Sequence, residues 1–96
     1  MKPSEALRIH RDDIRRVVEQ NGTRNPRAFG SALRGDGTES SDLDLLVGSM
    51  PDTTLLDIAR IQNRLQRLLG VTVDVLTPKA LPEKIREQVI AEAVPV

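Results

Sequence analysis

Residues 29–47, FGSALRGDGTESSDLDLLV, carry a Gly-Ser pair, a polar loop and two aspartates that lead into an apolar run. Aspartate is a poor strand former. Yet residues 42–47 alternate for two steps and finish Leu-Leu-Val, which predicts a strand entering the core. In an extended chain, residues two apart point the same way and lie about 6–7 Å apart. Asp42 and Asp44 are therefore expected on one face, with Leu43, Leu45 and Val47 on the other. Two like charges side by side on a core strand need a reason beyond packing.

Working outward, RAFGS after Pro26 predicts a short strand ending at Gly30, and GDGTESS (35–41) reads as polar turn. Gly48 to Pro51 closes the Asp-bearing strand. Thr54 to Leu69 is the clearest helix, with Leu55, Ile58, Ala59, Ile61, Leu65, Leu68 and Leu69 forming one apolar face. Thr54 with Asp57 three residues later forms a capping box that uses Asp in place of Glu, and Gly70 ends the helix. VTVDVLT (71–77) is β-branched and alternating, a third strand with Val73 and Val75 on one face and Asp74 on the other. Toward the N-terminus, Leu7, Ile14, Val17 and Val18 predict one helix from an N-cap at Ser4 to about Gln20, stopped by Asn21-Gly22. His10 lies on its apolar stripe and reads as a packing residue. Pro78 and Pro82 precede a last helical stripe of Ile85, Val89 and Ile90. The order predicts one α/β (α+β) domain over residues 1–96, with helices packed on one face of a small mixed sheet.

Composition narrows the function. Fourteen basic and fourteen acidic residues cancel, which gives no general electrostatic reason to bind nucleic acid. Phe29 is the single aromatic residue, so a base-stacking platform is missing as well. Without cysteine there are no disulfides, thiolate nucleophiles or thiolate metal sites. No apolar run approaches membrane length and the N-terminus lacks a signal-peptide core, so a cytoplasmic protein without membrane contact is expected.

If the strands bearing Asp44 and Asp74 are neighbours, three carboxylates, Asp42, Asp44 and Asp74, meet on one patch of sheet. Clustered carboxylates raise one another's pKa unless a cation neutralises them. Hard oxygen donors point to Mg²⁺, or Mn²⁺, rather than zinc. Two such ions about 3.5–4 Å apart are the usual arrangement for phosphoryl and nucleotidyl transfer. Upstream, Gly30 lets the backbone approach a phosphate, Ser31 adds a hydroxyl, and a helical turn starting there directs free N–H groups at anions. Arg34 on the same turn can reach a triphosphate oxygen. Taken singly, Gly-Ser reads more readily as a structural turn and Asp74 as the surface residue of an edge strand, while Asp-x-Asp reads equally as a turn or cap signal.

Together these residues resemble a known family. Gly30-Ser31, ten residues, then Asp42-x-Asp44 is similar to the signature of the polymerase-beta-like nucleotidyltransferase superfamily. FGSALRG…SDLDLLV followed by VDVLT resembles its minimal nucleotidyltransferase (MNT) branch over residues 28–78. The resemblance implies the palm-like nucleotidyltransferase fold, metal ligation by Asp42, Asp44 and Asp74, and triphosphate binding by Gly30 and Ser31. Arg34 and Gly35 match the pattern, whereas many members carry Arg where this chain has Ala32.

The resemblance also implies a role. MNT proteins are typically paired with a HEPN-domain protein in toxin–antitoxin modules, and silence that ribonuclease by moving AMP from ATP onto one of its tyrosines. Twenty-two residues follow Asp74 here, too few for an acceptor-binding domain, so the acceptor is expected to be held by a separate chain or by a small surface of this one, in a hetero-oligomer or a homodimer. Two other readings are an antitoxin that works by occlusion without catalysis, and a small-molecule nucleotidyltransferase subunit.

Overall fold

A computed structural model describes the chain except residues 36 and 39, so Asp36 and Glu39 of the expected turn lie outside the described residues. The elements are α1 (Pro3–Ile9), α2 (Arg11–Gln20), β1 (Thr23–Phe29), α3 (Ser31–Arg34), β2 (Leu43–Ser49), α4 (Leu55–Leu69), β3 (Val73–Leu76), a 3₁₀ turn (Pro78–Ala80), α5 (Glu83–Glu92) and β4 (Val94–Pro95). They form the expected α+β domain around one mixed sheet of order β3-β2-β1-β4. β1 is antiparallel to both β2 and β4, and β2 and β3 run parallel. A parallel pair needs a long crossover, and α4 supplies it.

One face of the sheet is the core. Leu43, Leu45 and Val47 of β2, Val73 and Val75 of β3 and Ala28 of β1 pack there. Ile14, Val17 and Val18 of α2, Ile61, Leu65 and Leu69 of α4, and Ala6 and Leu7 of α1 cover them. At roughly 1.5–3 kcal/mol for each large side chain buried, this layer supplies most of the driving force for folding.

α4 follows the sequence at both ends, but its buried face is narrower than expected: Ile61, Leu65 and Leu69 are buried and Ile58 half-buried, while Leu55, Ala59 and Leu68 are exposed. Thr54 Oγ1 accepts from the Asp57 N–H while an Asp57 carboxylate oxygen accepts from the Thr54 N–H, completing the capping box. Gly70 ends the helix in the left-handed conformation, φ +70°, which only glycine adopts cheaply.

Other boundaries differ from expectation. The predicted first helix is two helices that meet at His10, whose backbone (φ −109°, ψ 26°) leaves the helical region. Lys2, not Ser4, stands at the N-cap, because Pro3 occupies the first helical turn. β1 begins at Thr23 and carries Pro26 inside it. The register with β2 shifts between Arg24 and Arg27, and Asn25 takes φ +54° at that irregularity, which accommodates a residue with no N–H. β2 starts at Leu43, so Asp42 precedes the strand instead of lying in it. The C-terminal pairing of β4, and the α3 helical turn, complete the fold.

Candidate active site

The second face of the sheet carries the chemistry. Asp44 of β2 pairs in register with Asp74 of β3 on one side and with Phe29 of β1 on the other. Asp42, one residue before β2, is exposed, as is Asp74; Asp44 is half-buried. The alternation that buries Leu43 and Leu45 thus turns Asp44 outward beside Asp74.

Burial and negative charge outweigh positive charge at Asp44. Burial, then repulsion from Asp74 and Asp42, pushes the Asp44 carboxyl up to about 6, and Arg34 only partly offsets this. Arg34 therefore acts on the carboxylates as well as standing on the phosphate-side turn. Among the described residues no three His, Cys, Asp or Glu side chains converge into a ready-made metal cage. The carboxylates sense one another without closing into one.

Gly30 and Ser31 join the same site by an unexpected contact. β1 ends at Phe29, and Gly30 turns at φ +75° into the four-residue α3. A Cβ at residue 30 would lie 2.6 Å from Asp44 Oδ2. The positive φ is what calls for glycine, and the approach of the protein's own Asp44 carboxylate leaves little room for a side chain. α3 begins at Ser31, and the first N–H groups of a helix have no intrahelical acceptor. A Cβ on Gly37 would meet Ser31 Oγ at 3.3 Å, so the loop after α3 folds back close to that hydroxyl.

Five of the expected residues, Gly30, Ser31, Arg34, Asp44 and Asp74, thus gather around one end of the open sheet face, with Asp42 at the entry to β2. A nucleotidyltransferase-domain model matches residues 11–96. The chain belongs to the nucleotidyltransferase family. It is 34% identical over 88 residues to the protein adenylyltransferase MntA of Thermococcus cleftensis, covering 92% of this chain and 86% of that one. A candidate minimal nucleotidyltransferase of known structure superposes with a TM-score of 0.86 at 43% identity, over 97% of this chain and 95% of the other. A complex of a tri-AMPylated Shewanella oneidensis HEPN toxin with MNT antitoxin shares the fold, with a TM-score of 0.69 at 16% identity over 93% of this chain and 70% of that one. This is an enzyme of the minimal nucleotidyltransferase branch.

Within this nucleotidyltransferase the expected departure from the family pattern falls on a buried position. Ala32, where many members carry Arg, packs into the core cluster beneath α3. Sequence reasoning also missed Arg27. It lies two residues before Phe29 on the carboxylate-bearing face, opposite Leu46, and its buried Nε has no hydrogen-bond partner among the described residues. Alternation within RAFGS already puts Arg27 on the face of Phe29, but its burial depends on β1 lying between β2 and β4.

Proposed function

We propose that this nucleotidyltransferase is a protein adenylyltransferase that moves AMP from ATP onto a tyrosine hydroxyl of a HEPN-domain partner, silencing it as the antitoxin of a toxin–antitoxin pair in the cytoplasm. One observation carries the reading: Asp44 and Asp74 face each other in register, with Gly30 closing directly against Asp44. The names of the relatives supply the acceptor class: protein adenylyltransferases among sequences, and an AMPylated HEPN toxin among structures. A toxin–antitoxin structure with AMP-PNP supports ATP as the donor.

The donor set suits a divalent cation in kind, since it offers carboxylate oxygens and the charges of Asp74 and Asp42 add to burial in raising Asp44. Asp42, Asp44 and Asp74 would hold Mg²⁺, as a pair of ions or with Mn²⁺ in its place, and the bound cation would supply that charge and acidify the attacking hydroxyl. The chain's own residues do the rest. The Gly30 backbone leaves room for the triphosphate, Ser31 donates its hydroxyl to a phosphate oxygen, and Arg34 balances negative charge at the turn. Asp74, exposed at the sheet edge, takes the proton of the acceptor hydroxyl. The acceptor oxygen bonds to the α-phosphorus as the bond to the β-phosphate oxygen breaks, and pyrophosphate leaves with that electron pair.

Co-expression of the chain with its HEPN partner, followed by intact-mass measurement of the partner, tests this. Addition of AMP that disappears in Asp42→Asn and Asp44→Asn is the expected result, and transfer retained by both variants defeats it. Occlusion is a second reading, favoured by α5, which has no buried residue and exposes Ile85 and Ile90. A partner that is inhibited but unmodified in the same measurement selects occlusion.

A further inference from the structure

β3 is a four-residue edge strand, bonded through the ladder on one side only, to β2. Its outward N–H groups, at Val73 and Val75, would ordinarily face solvent. Here both are taken by α4. Gln66 Oε1 accepts from the Val73 N–H at 3.1 Å, and Gln62 Oε1 accepts from the Val75 N–H at 2.9 Å. The match is geometric. Four residues of helix advance about 6 Å, and two residues of strand advance about 6.6 Å. Two glutamines at i and i+4 therefore reach two N–H groups at j and j+2.

The residue between those two N–H groups is Asp74. Its carboxylate stands in register with Asp44, and two like charges side by side repel. Val73 and Val75 anchor β3 in the core, and on its free side the two glutamine bonds hold its backbone. We propose that Gln62 and Gln66 are positioning residues for Asp74, clamping the edge strand from its free side so that the carboxylate stays opposite Asp44. Asp74 then presents at a fixed place to the acceptor hydroxyl, which is where this inference rests on the adenylyl-transfer reading. The sequence carries the signal in QNRLQ (62–66), where two glutamines stand four residues apart and so share one flank of the helix.

Methionine at both positions keeps length and helix propensity but removes the acceptor, while glutamate keeps an acceptor oxygen. In the Gln62→Met/Gln66→Met pair, the Val73 and Val75 amides are expected to exchange rapidly with solvent while the far-UV spectrum of the fold is kept. Its kcat for AMP transfer should fall about 10- to 100-fold, the scale of an ångström-sized misplacement. KM for ATP should stay within about twofold, because the interaction lost belongs to the transition state. Mn²⁺ affinity of the chain alone should weaken in parallel, and the Gln62→Glu/Gln66→Glu pair should restore slow exchange, kcat and Mn²⁺ binding together. Wild-type kcat in the methionine pair overturns the proposal, as does a loss that the glutamate pair does not restore. A wild-type chain that binds Mn²⁺ but transfers no AMP defeats the transfer reading instead, and the Mn²⁺ comparison between the two pairs still decides the clamp.

Discussion

The two faces of β2 differ by one residue in register and by everything in purpose. Leu43, Leu45 and Val47 are fully buried under the helices. Asp44 looks the other way, across to Asp74 and Phe29, with its carboxyl raised to about 6. The first face is chosen for what it removes from water. The second keeps a charge that the fold alone would be better without. A strand can therefore be optimal on one side and strained on the other, and the strained side is where chemistry resides.

The largest expected separation of the two faces comes from Asp44→Asn. Nucleotide transfer to the partner should fall below detection, while the urea midpoint of the metal-free chain is unchanged or higher, since the variant removes a charge disfavoured by burial and by its acidic neighbours. Leu45→Ala should do the reverse. It should cost about 2–5 kcal/mol of stability, read by denaturant unfolding, with the folded fraction transferring AMP normally. Gly30→Ala lies on the seam between strand and site. Its positive φ and the 2.6 Å approach to Asp44 Oδ2 should cost about 1–3 kcal/mol in strain and displace the carboxylate, so that activity falls further than stability.

The pH dependence sharpens the contrast. An ordinary aspartate titrates near 3.9, and the folded chain holds the Asp44 proton up to about 6. The folded state therefore binds that proton more tightly than the unfolded one. The stability it contributes is fully present below about pH 4 and is lost as pH rises through about 6. The stability difference between metal-free wild type and Asp44→Asn should widen, against the wild type, across that window. Adding Mg²⁺ at pH 7 should narrow it, and a gap indifferent to both pH and Mg²⁺ would contradict the assignment.

The smallest effect is expected at α5. This helix buries no residue, and Arg86 ties it down through Nε to the Pro78 carbonyl at 2.8 Å and Nη2 to the Leu81 carbonyl at 2.9 Å. Arg86→Ala should lower global stability by about 1 kcal/mol, yet speed hydrogen exchange throughout α5. Equal protection of α5 in variant and wild type would show that another contact holds it.

What the sequence revealed was what lies close along the chain. The α4 capping box needs only Thr54 and Asp57, and the Asp74 alternation only its immediate neighbours. The break at His10 was hidden because the apolar stripe continues across it, and the hydrogen bonds of the His10 N–H to Ala6 and of Ile14 to the His10 carbonyl keep the two helices nearly continuous. β1 was shortened because Pro26 reads as a breaker, whereas a bulge at Asn25 absorbs it. The six expected site residues were visible as motif spacing. The contact of Gly30 with Asp44, the half-buried Arg27 and the glutamine clamp depend on which elements become neighbours, and that is decided by tertiary packing.

The edges of the sheet bear on how this protein can assemble. On one side, glutamine side chains occupy the outward N–H groups of β3. On the other, β4 is two residues long and includes Pro95, which has no N–H to offer. Neither border is a template for a further strand, so growth of the sheet into a partner or into a fibril is discouraged at both ends. A complex of this chain is therefore expected to use side-chain surfaces, of the helices or of the carboxylate face, and not a sheet shared between two chains.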